Sequence, residues 1–477
     1  MEITVKNFKA IQTLENYKVN NLNVLSGTNS GGKTSFIQLL LLLKQSLERS
    51  VEQSSLILNQ PYVSLGKYKD IIYYNKNNLE IGLKIYKEDI KPIDFNFLRL
   101  RNLKKEVLER IESIELKLKF SLVSGRITVE NFDATYSFED GDLWVRGGRK
   151  KRSQKYWISF NSPLEFEYLE KFPEIDFDGD EGNVFFEGFF PHSIASTDDF
   201  SGFNPFLFGI KRPIKRFFDN ITYLGPLRDE PHAYYFNDND YVPAIGNRGE
   251  FAAQILSKHA KDQIKNQRIS YSQTDTIIYT QKEESLEEGV RYWICDVFGM
   301  AKKIKVNKLH DGAMYIIEVT NHFGLKIPIT HVGFGISQVL PIIVEGLRMK
   351  TGGILILEQP EIHLHPKVQS LLFDFLYSLT LTGKKVIIET HSDHFITRLR
   401  RRVAEDPDNK LANDINLTFI EIENETTCYK RLNLTDYGNL LYWPTDFFDQ
   451  LDNEYRAIVK AQSRKRKLKF IEEAKHE

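Results

Sequence analysis

Gly27, Thr28, Asn29, Ser30, Gly31, Gly32, Lys33 and Thr34 form a glycine-rich run that ends in a lysine and a hydroxyl and is followed by Ser35. Backbone N–H groups in such a turn converge on an anion, and a helix opening at its end adds positive partial charge. Lys33 is then positioned for the β- and γ-phosphates of ATP, and the Thr34 hydroxyl for Mg²⁺. A second chemical group lies far downstream. Glu358 ends the apolar run Ile354 to Leu357, where a carboxylate can hold Mg²⁺ or its water. The next position normally carries the base that orients the attacking water, and here it is Gln359. An amide orients water but cannot accept its proton, so slow hydrolysis is expected unless Glu361 or a partner supplies the base.

These residues need particular elements beneath them. Leu22 to Leu25 reads as a strand leading into the loop, and Lys33 opens a long helix whose apolar stretch, Phe36 to Leu43, is expected to be buried. Ile354 to Leu357 has the unbroken apolar character of a strand covered on both faces. Before it, V-G-F-G-I-S-Q-V-L-P at Val332 to Pro341 predicts a flexible turn at Gly333 and Gly335, with Ser337 and Gln338 starting a helix whose N-terminus suits an anion. Val339, Ile342, Ile343 and Leu347 give that helix an apolar face, and Pro341 fits only near its opening turn. After it, Val386 to Ile388 predicts another buried strand. His391 falls just past its end, on the side of a parallel sheet where ligands bind. The fold class that follows is α/β with a mixed sheet, antiparallel near Ile3 to Val5 and parallel behind the phosphate loop and Glu358.

The 477 residues, 41% of them hydrophobic, can bury a large core in roughly two or three domains. A formal net charge of -1 excludes a broadly basic surface but leaves room for local patches. Cys295 and Cys428 have neither metal nor redox spacing and point to a reducing, cytoplasmic setting. Met1 to Ile11 lacks a signal-peptide pattern, and no apolar stretch approaches ~18 residues, so no membrane partner is expected.

The motifs G-T-N-S-G-G-K-T, G-F-G-I-S-Q, I-L-I-L-E-Q-P-E-I-H-L-H-P and E-T-H-S-D-H together resemble ABC-type P-loop ATPase heads related to SMC, RecF and OLD proteins, especially the bacterial OLD-like predicted ATPases. Tyr223 to Pro231, Y-L-G-P-L-R-D-E-P, is similar to that family's arginine-bearing segment. Tyr442 to Gln450, Y-W-P-T-D-F-F-D-Q, resembles a small C-terminal domain of unknown function found on one branch. The resemblance covers the chain to about Asp70 and most of it from Tyr223 onward. It implies that Gly32, Lys33 and Thr34 belong to Walker A, Glu358 to Walker B, Ser337 to the signature motif, and His391 to the switch histidine that senses the γ-phosphate. It also implies a homodimer in which the signature of each subunit caps the ATP of the other, an isologous pairing that leaves room for higher oligomers. Gln359 departs from the glutamate of many relatives, which bears on turnover and not on binding. The implied partner is a separately encoded nuclease or toxin of a bacterial anti-phage system, with DNA a further partner that fits. The alternative is a regulatory scaffold that uses ATP structurally to hold a protein.

The expected division is an N-terminal ATPase lobe at 1–77, a partly β insertion at 78–218, a C-terminal ATPase lobe at 219–424, and a small module with a basic tail at 425–477. Within the insertion, Leu116 to Leu122 and Arg126 to Val129 alternate as strands do, and Leu98 to Glu115 has helical spacing. No repeat is long enough for an SMC-like coiled coil. Arg146, Arg149, Lys150, Lys151 and Arg152, flanked by Trp144, Tyr156 and Trp157, suit either nucleic acid or a solvated hairpin turn at Gly147 and Gly148. A second basic run, Arg464 to Lys469, falls on a charged helix and reads as a solvated tail or docking surface, with nucleic-acid contact the alternative. Arg228 can serve a phosphate or a structural carboxylate. Glu361, His363 and His365 alternate as ligands on one strand face would, though the resemblance accounts for the histidines without a metal.

Overall fold

The computed structural model describes residues 1–28, 31–49, 54–90, 110–139, 141–150, 155–161, 180–195, 204–236, 244–273, 276–310, 313–442, 444 and 450–473. A nine-stranded antiparallel sheet forms one layer. It contains β1 (Glu2–Phe8), β2 (Ile11–Lys18), β4 (Leu79–Tyr86), β5 (Ile111–Val123), β6 (Arg126–Phe138), β7 (Gly141–Arg149), β8 (Tyr156–Asn161), β9 (Asp180–Glu187) and β10 (Phe190–Ala195). Their order is β10-β9-β8-β7-β6-β5-β4-β1-β2. The expected boundary at 77/78 therefore falls inside one sheet, because β4 pairs with β1 from Glu2↔Lys84 to Lys6↔Glu80.

The second layer is a six-stranded sheet ordered β11-β18-β19-β3-β20-β21. Its strands are β3 (Leu22–Gly27), β11 (Ile221–Leu224), β18 (Ile354–Glu358), β19 (Lys385–Glu389), β20 (Ile415–Glu423) and β21 (Thr426–Arg431). Neighbours are parallel except the β20–β21 hairpin, so the expected boundary at 424/425 lies in the turn of that hairpin. The remaining strands form a small sheet of β12 (Tyr235–Phe236), β15 (Lys303–Leu309), β16 (Met314–Thr320) and β17 (Lys326–Pro328), and a hairpin of β13 (Gln263–Tyr271) and β14 (Ile277–Ser285).

Both faces of the parallel sheet are covered, which is why its strands read as apolar runs. Ile354, Ile356 and Ile387 enter the core shared with the antiparallel sheet. Leu355, Leu357, Val386 and Ile388 enter the core on the other side. Helix α1 (Lys33–Glu48) lies in the first core, with Phe36, Ile37 and Leu39 to Leu43 fully buried, and α2 (Asn204–Asp219) packs against it. Helices α3 (Phe334–Arg348), α4 (Pro366–Thr380) and α5 (Asp393–Glu405) contribute to the second core. The charged helix α6 (Gln450–Glu473) ends the described chain.

Three local expectations are corrected. Helix α3 begins at Phe334, so Ser337 and Gln338 lie within its first turns and Pro341 is interior, where it has no N–H to offer the Ser337 carbonyl. Ile111 to Glu115 is strand, because its residues pair across β6 and bury Ile111 and Ile114; residues 98–109 lie outside the described residues. Gly147 and Gly148 sit within β7, not in a turn, opposite Ile158 and Trp157. A Cβ on Gly148 would meet the Trp157 ring nitrogen at 2.3 Å, so glycine lets that indole cross the strand. Lys151 and Arg152 lie outside the described residues.

Candidate nucleotide site

The phosphate loop is tied to the sheet that carries it. Gly27 has a φ of 147°, and a Cβ there would lie 1.9 Å from the Ile420 carbonyl oxygen, so glycine alone lets the loop leave β3 this close to β20. The Thr28 amide donates to the Ile420 carbonyl at 3.1 Å, and the Gly31 amide to the Thr28 carbonyl at 3.2 Å. Gly32 caps α1 in the left-handed region, and its carbonyl accepts from the Tyr429 hydroxyl at 2.8 Å. Lys33 is buried, which lowers its pKa, and its Nζ donates to the carbonyls of Gly27 at 3.1 Å and Thr28 at 2.6 Å. Asn29 and Ser30 lie outside the described residues.

A cleft of about 600 Å³ is lined by Gly31, Gly32, Lys33, Thr34 and Ser35 of the loop and helix, together with Gln359, Glu389 and His391 from the ends of β18 and β19. Lys9, Gln38 and Asp70 line it too, Lys9 Nζ donating to Gln38 Oε1 at 2.7 Å. Strand order explains the meeting. β19 is the direct neighbour of β3, and Glu389 pairs in register with Leu25 on one side and Glu358 on the other. The Thr34 hydroxyl donates to Glu389 Oε1 at 3.0 Å. Thr34 is thus not brought to Glu358, whose strand is a further sheet spacing away, about 4.8 Å. Glu358 instead accepts from the Tyr223 hydroxyl at 2.8 Å.

Gln359 has a φ of 43°; its amide donates to the Glu389 carbonyl at 2.7 Å, and its carbonyl accepts from Arg228 at 3.0 Å. Arg228 also donates to the carbonyls of Glu358 at 3.1 Å and Pro226 at 3.2 Å, so this buried guanidinium clamps the chain after β18. The His391 amide donates to Glu361 Oε1 at 2.7 Å. Burial raises the pKa of Glu358, Glu361 and Glu389. It takes Glu389 to about 7, with the neighbouring Glu358 adding to the effect and Thr34 and Lys33 opposing it. Burial and Lys33 lower His391, which favours the neutral ring.

The 359–365 segment is not a strand. His363 has a φ of 62°, and His365 caps α4 by accepting from the Lys367 amide at 3.3 Å. Ser337 and Gln338 are buried and line no part of the cleft, and the Ser337 hydroxyl donates to the Phe334 carbonyl at 2.7 Å. Sequence reasoning missed Glu389, Lys9, Gln38 and Asp70 as cleft residues. Glu389 carried the same signal as Glu358, an acid closing a buried strand; Lys9, Gln38 and Asp70 carried none, since only tertiary packing brings them to the loop.

The arrangement fits a phosphate and a divalent cation. Loop amides and Lys33 suit the anion, and Glu389 has a buried second oxygen without a hydrogen-bond partner among the described residues, which suits a hard cation. Among the described residues no group of three or more His, Cys, Asp or Glu is arranged to hold a metal alone. Mg²⁺ sites need no such group, because phosphate oxygens and water complete them.

Residues 233–396 match the family model described as an AAA ATPase domain. That span includes Ser337, Glu358, Glu389 and His391, and together with the phosphate loop it marks the chain as carrying an ATP-binding ATPase domain. Residues 412–458 match a model described as a protein of unknown function. The chain is 26% identical over 129 residues to the uncharacterized protein MJECL10 of Methanocaldococcus jannaschii, a stretch covering 26% of this chain and 56% of that protein. It thus spans little more than half the length of that relative. Among solved structures, an SMC head bound to the C-winged helix domain of ScpA aligns with 91% of this chain and 98% of its own at 9% identity and a TM-score of 0.38. The SMC head domain from Thermotoga maritima aligns over the same shares at 9% identity and a TM-score of 0.36. No helix among the described residues is long and apolar enough to cross a membrane.

Proposed function

We propose that this chain is an ABC-type ATPase head that binds ATP with Mg²⁺ and closes as a homodimer around two nucleotides. The observation that carries the reading is the convergence of Lys33 and Thr34 with Gln359, Glu389 and His391 in one cleft. Lys33 exchanges its loop carbonyls for phosphate oxygens, and neutral His391 offers a hydrogen bond to the terminal phosphate. When bound, Mg²⁺ would draw charge from the phosphates. Gln359 positions water without accepting its proton, so closure outlasts turnover. No residue of α3 reaches this cleft, while Gly333 and Phe334 at the start of α3 are exposed, which leaves the Ser337 helix available to a second copy. By the family resemblance, closure gates a separately encoded nuclease or toxin in anti-phage defence, with DNA as a trigger.

Steady-state phosphate release tests the reading. It should vanish in Lys33→Ala and rise in Gln359→Glu; equal, negligible rates in all three forms would remove hydrolysis from the mechanism. A second reading, ATP as a structural latch on a protein partner, is favoured by the pairing of basic residues on the antiparallel sheet. Lys6, Lys117, Lys119 and Arg146 each meet a carboxylate, on Glu15, Glu115, Glu130 and Asp133. Duplex DNA binding that strengthens with ATP and weakens with salt supports the first reading, and its absence beside a stable protein partner supports the second.

A further inference from the structure

We propose that Glu389, and not Glu358, is the protein carboxylate that holds the nucleotide-associated divalent cation together with Thr34; this rests on the reading of the cleft as an ATP site. Three observations converge. The Thr34 hydroxyl is within hydrogen-bond distance of Glu389 Oε1, at 3.0 Å, so the two oxygens a hard cation would take are already adjacent. The other oxygen of Glu389 is buried with no hydrogen-bond partner among the described residues, in a residue that is 3% exposed and lines the cleft. A buried acceptor left unsatisfied is costly, and a cation would relieve it. Glu358 is differently placed: it lines no part of the cleft, and its carboxylate is engaged by Tyr223 at 2.8 Å. In strand order β19 adjoins β3, and β18 stands beyond it.

Glu358 then acts as a positioning residue. Its strand anchors Arg228, whose bonds to the Glu358 and Gln359 carbonyls fix the turn that presents Gln359 to the cleft, and its charge sits beside Glu389 in register. The cation would take oxygens from Thr34, Glu389, the phosphates and water, a set in keeping with Mg²⁺, which uses one or two carboxylates and keeps several waters.

The test uses Mn²⁺ as the probe, with a non-hydrolysable ATP analogue and the full chain, read by electron paramagnetic resonance of free Mn²⁺. Analogue affinity in EDTA is measured in parallel. Glu389→Gln should weaken Mn²⁺ binding in the analogue complex on the order of 10–100-fold. Its affinity for the analogue in EDTA should hold or rise, since a negative charge near the phosphates is gone. Glu389→Asp, which keeps a carboxylate, should recover much of the loss, and Glu358→Gln, which alters a positioning residue and not a ligand, should weaken Mn²⁺ binding less than Glu389→Gln does. Matching unfolding midpoints establish that the variants are folded. A large loss in Glu358→Gln with none in Glu389→Gln overturns the assignment while leaving the ATP reading intact. Failure of the wild-type chain to bind the analogue with or without Mn²⁺ overturns both.

Discussion

Two groups of buried charges sit in the same half of the molecule, and they are built on opposite terms. Asp374 on α4 is fully buried, and both of its oxygens are satisfied by guanidinium groups of α5: Arg402 Nε at 2.7 Å on one, Arg398 Nε and Arg402 Nη2 at 3.0 Å on the other. At the ends of β18 and β19, three buried carboxylates share much weaker company. Glu358 has a tyrosine hydroxyl, Glu361 a backbone amide and Glu389 a threonine hydroxyl, while one oxygen each of Glu361 and Glu389 has no hydrogen-bond partner among the described residues. Arg228 stands beside them, yet its Nη1 and Nη2 donate to main-chain carbonyls. A buried charge with all its bonds made fastens one helix to another. A buried charge with bonds still to make is a place for a ligand.

Breaking the satisfied group should produce the largest change. Asp374→Ala leaves two arginines facing a buried site without their shared counterion, Arg402 retaining Glu405, and removal of one partner from such a group costs about 3–5 kcal/mol. Urea unfolding should register that loss in the midpoint. A loss below about 1 kcal/mol would place the pair among weak surface contacts and erase the contrast.

The unsatisfied group should respond in the opposite sense. The Glu389 carboxyl lies at about 7 in the fold against an ordinary value of 4.5, because burial and Glu358 disfavour its charge. A raised carboxyl keeps the folded state protonated where the unfolded chain has already ionised. Its stabilising contribution is complete below 4.5 and is lost as pH rises through about 7. At pH 8 the difference is on the order of 3 kcal/mol. In EDTA and without nucleotide, wild-type stability should therefore fall across this interval, and Glu389→Gln should abolish that part of the fall and be the more stable protein at pH 8. A parallel pH dependence in the two proteins would mean that Glu389 titrates as a solvated acid.

The legibility of these groups in the sequence follows from how each is assembled. The phosphate loop, β18 and β19 were readable because a strand covered on both faces is an unbroken apolar run, and the residue after it marks the functional edge of the sheet. His391 and Gln359 were found that way and do line the cleft with Lys33 and Thr34. The carboxylate that meets Thr34 was not, because strand order decides it: nothing in the chain says that β19 lies between β3 and β18. Periodicity misplaced Ile111 to Glu115 for a related reason, since cross-strand pairing overrode a helical spacing. The sequence leaves Arg228 open between a phosphate and a structural carboxylate, and the bonds it makes go to neither but to main-chain carbonyls that come together only in the folded turn.

The smallest effect belongs to Gln359, where backbone and side chain make separate demands. Its φ of 43° is left-handed, and the conformation is held from both sides by the Glu389 carbonyl and by Arg228. A non-glycine residue pays about 1–2 kcal/mol for that region, while glycine enters it freely but loses more entropy on folding. Gln359→Gly should thus stabilise the chain by roughly 0.5–1 kcal/mol in thermal or urea unfolding. Unlike Asp374→Ala, it removes no buried bond, so any sizeable destabilisation would mean that the amide side chain, and not the clamp on its backbone, holds the turn. If the small gain appears, the strain at the cleft edge is a property of the fold's grip on this turn, separable from whatever the Gln359 amide does for water.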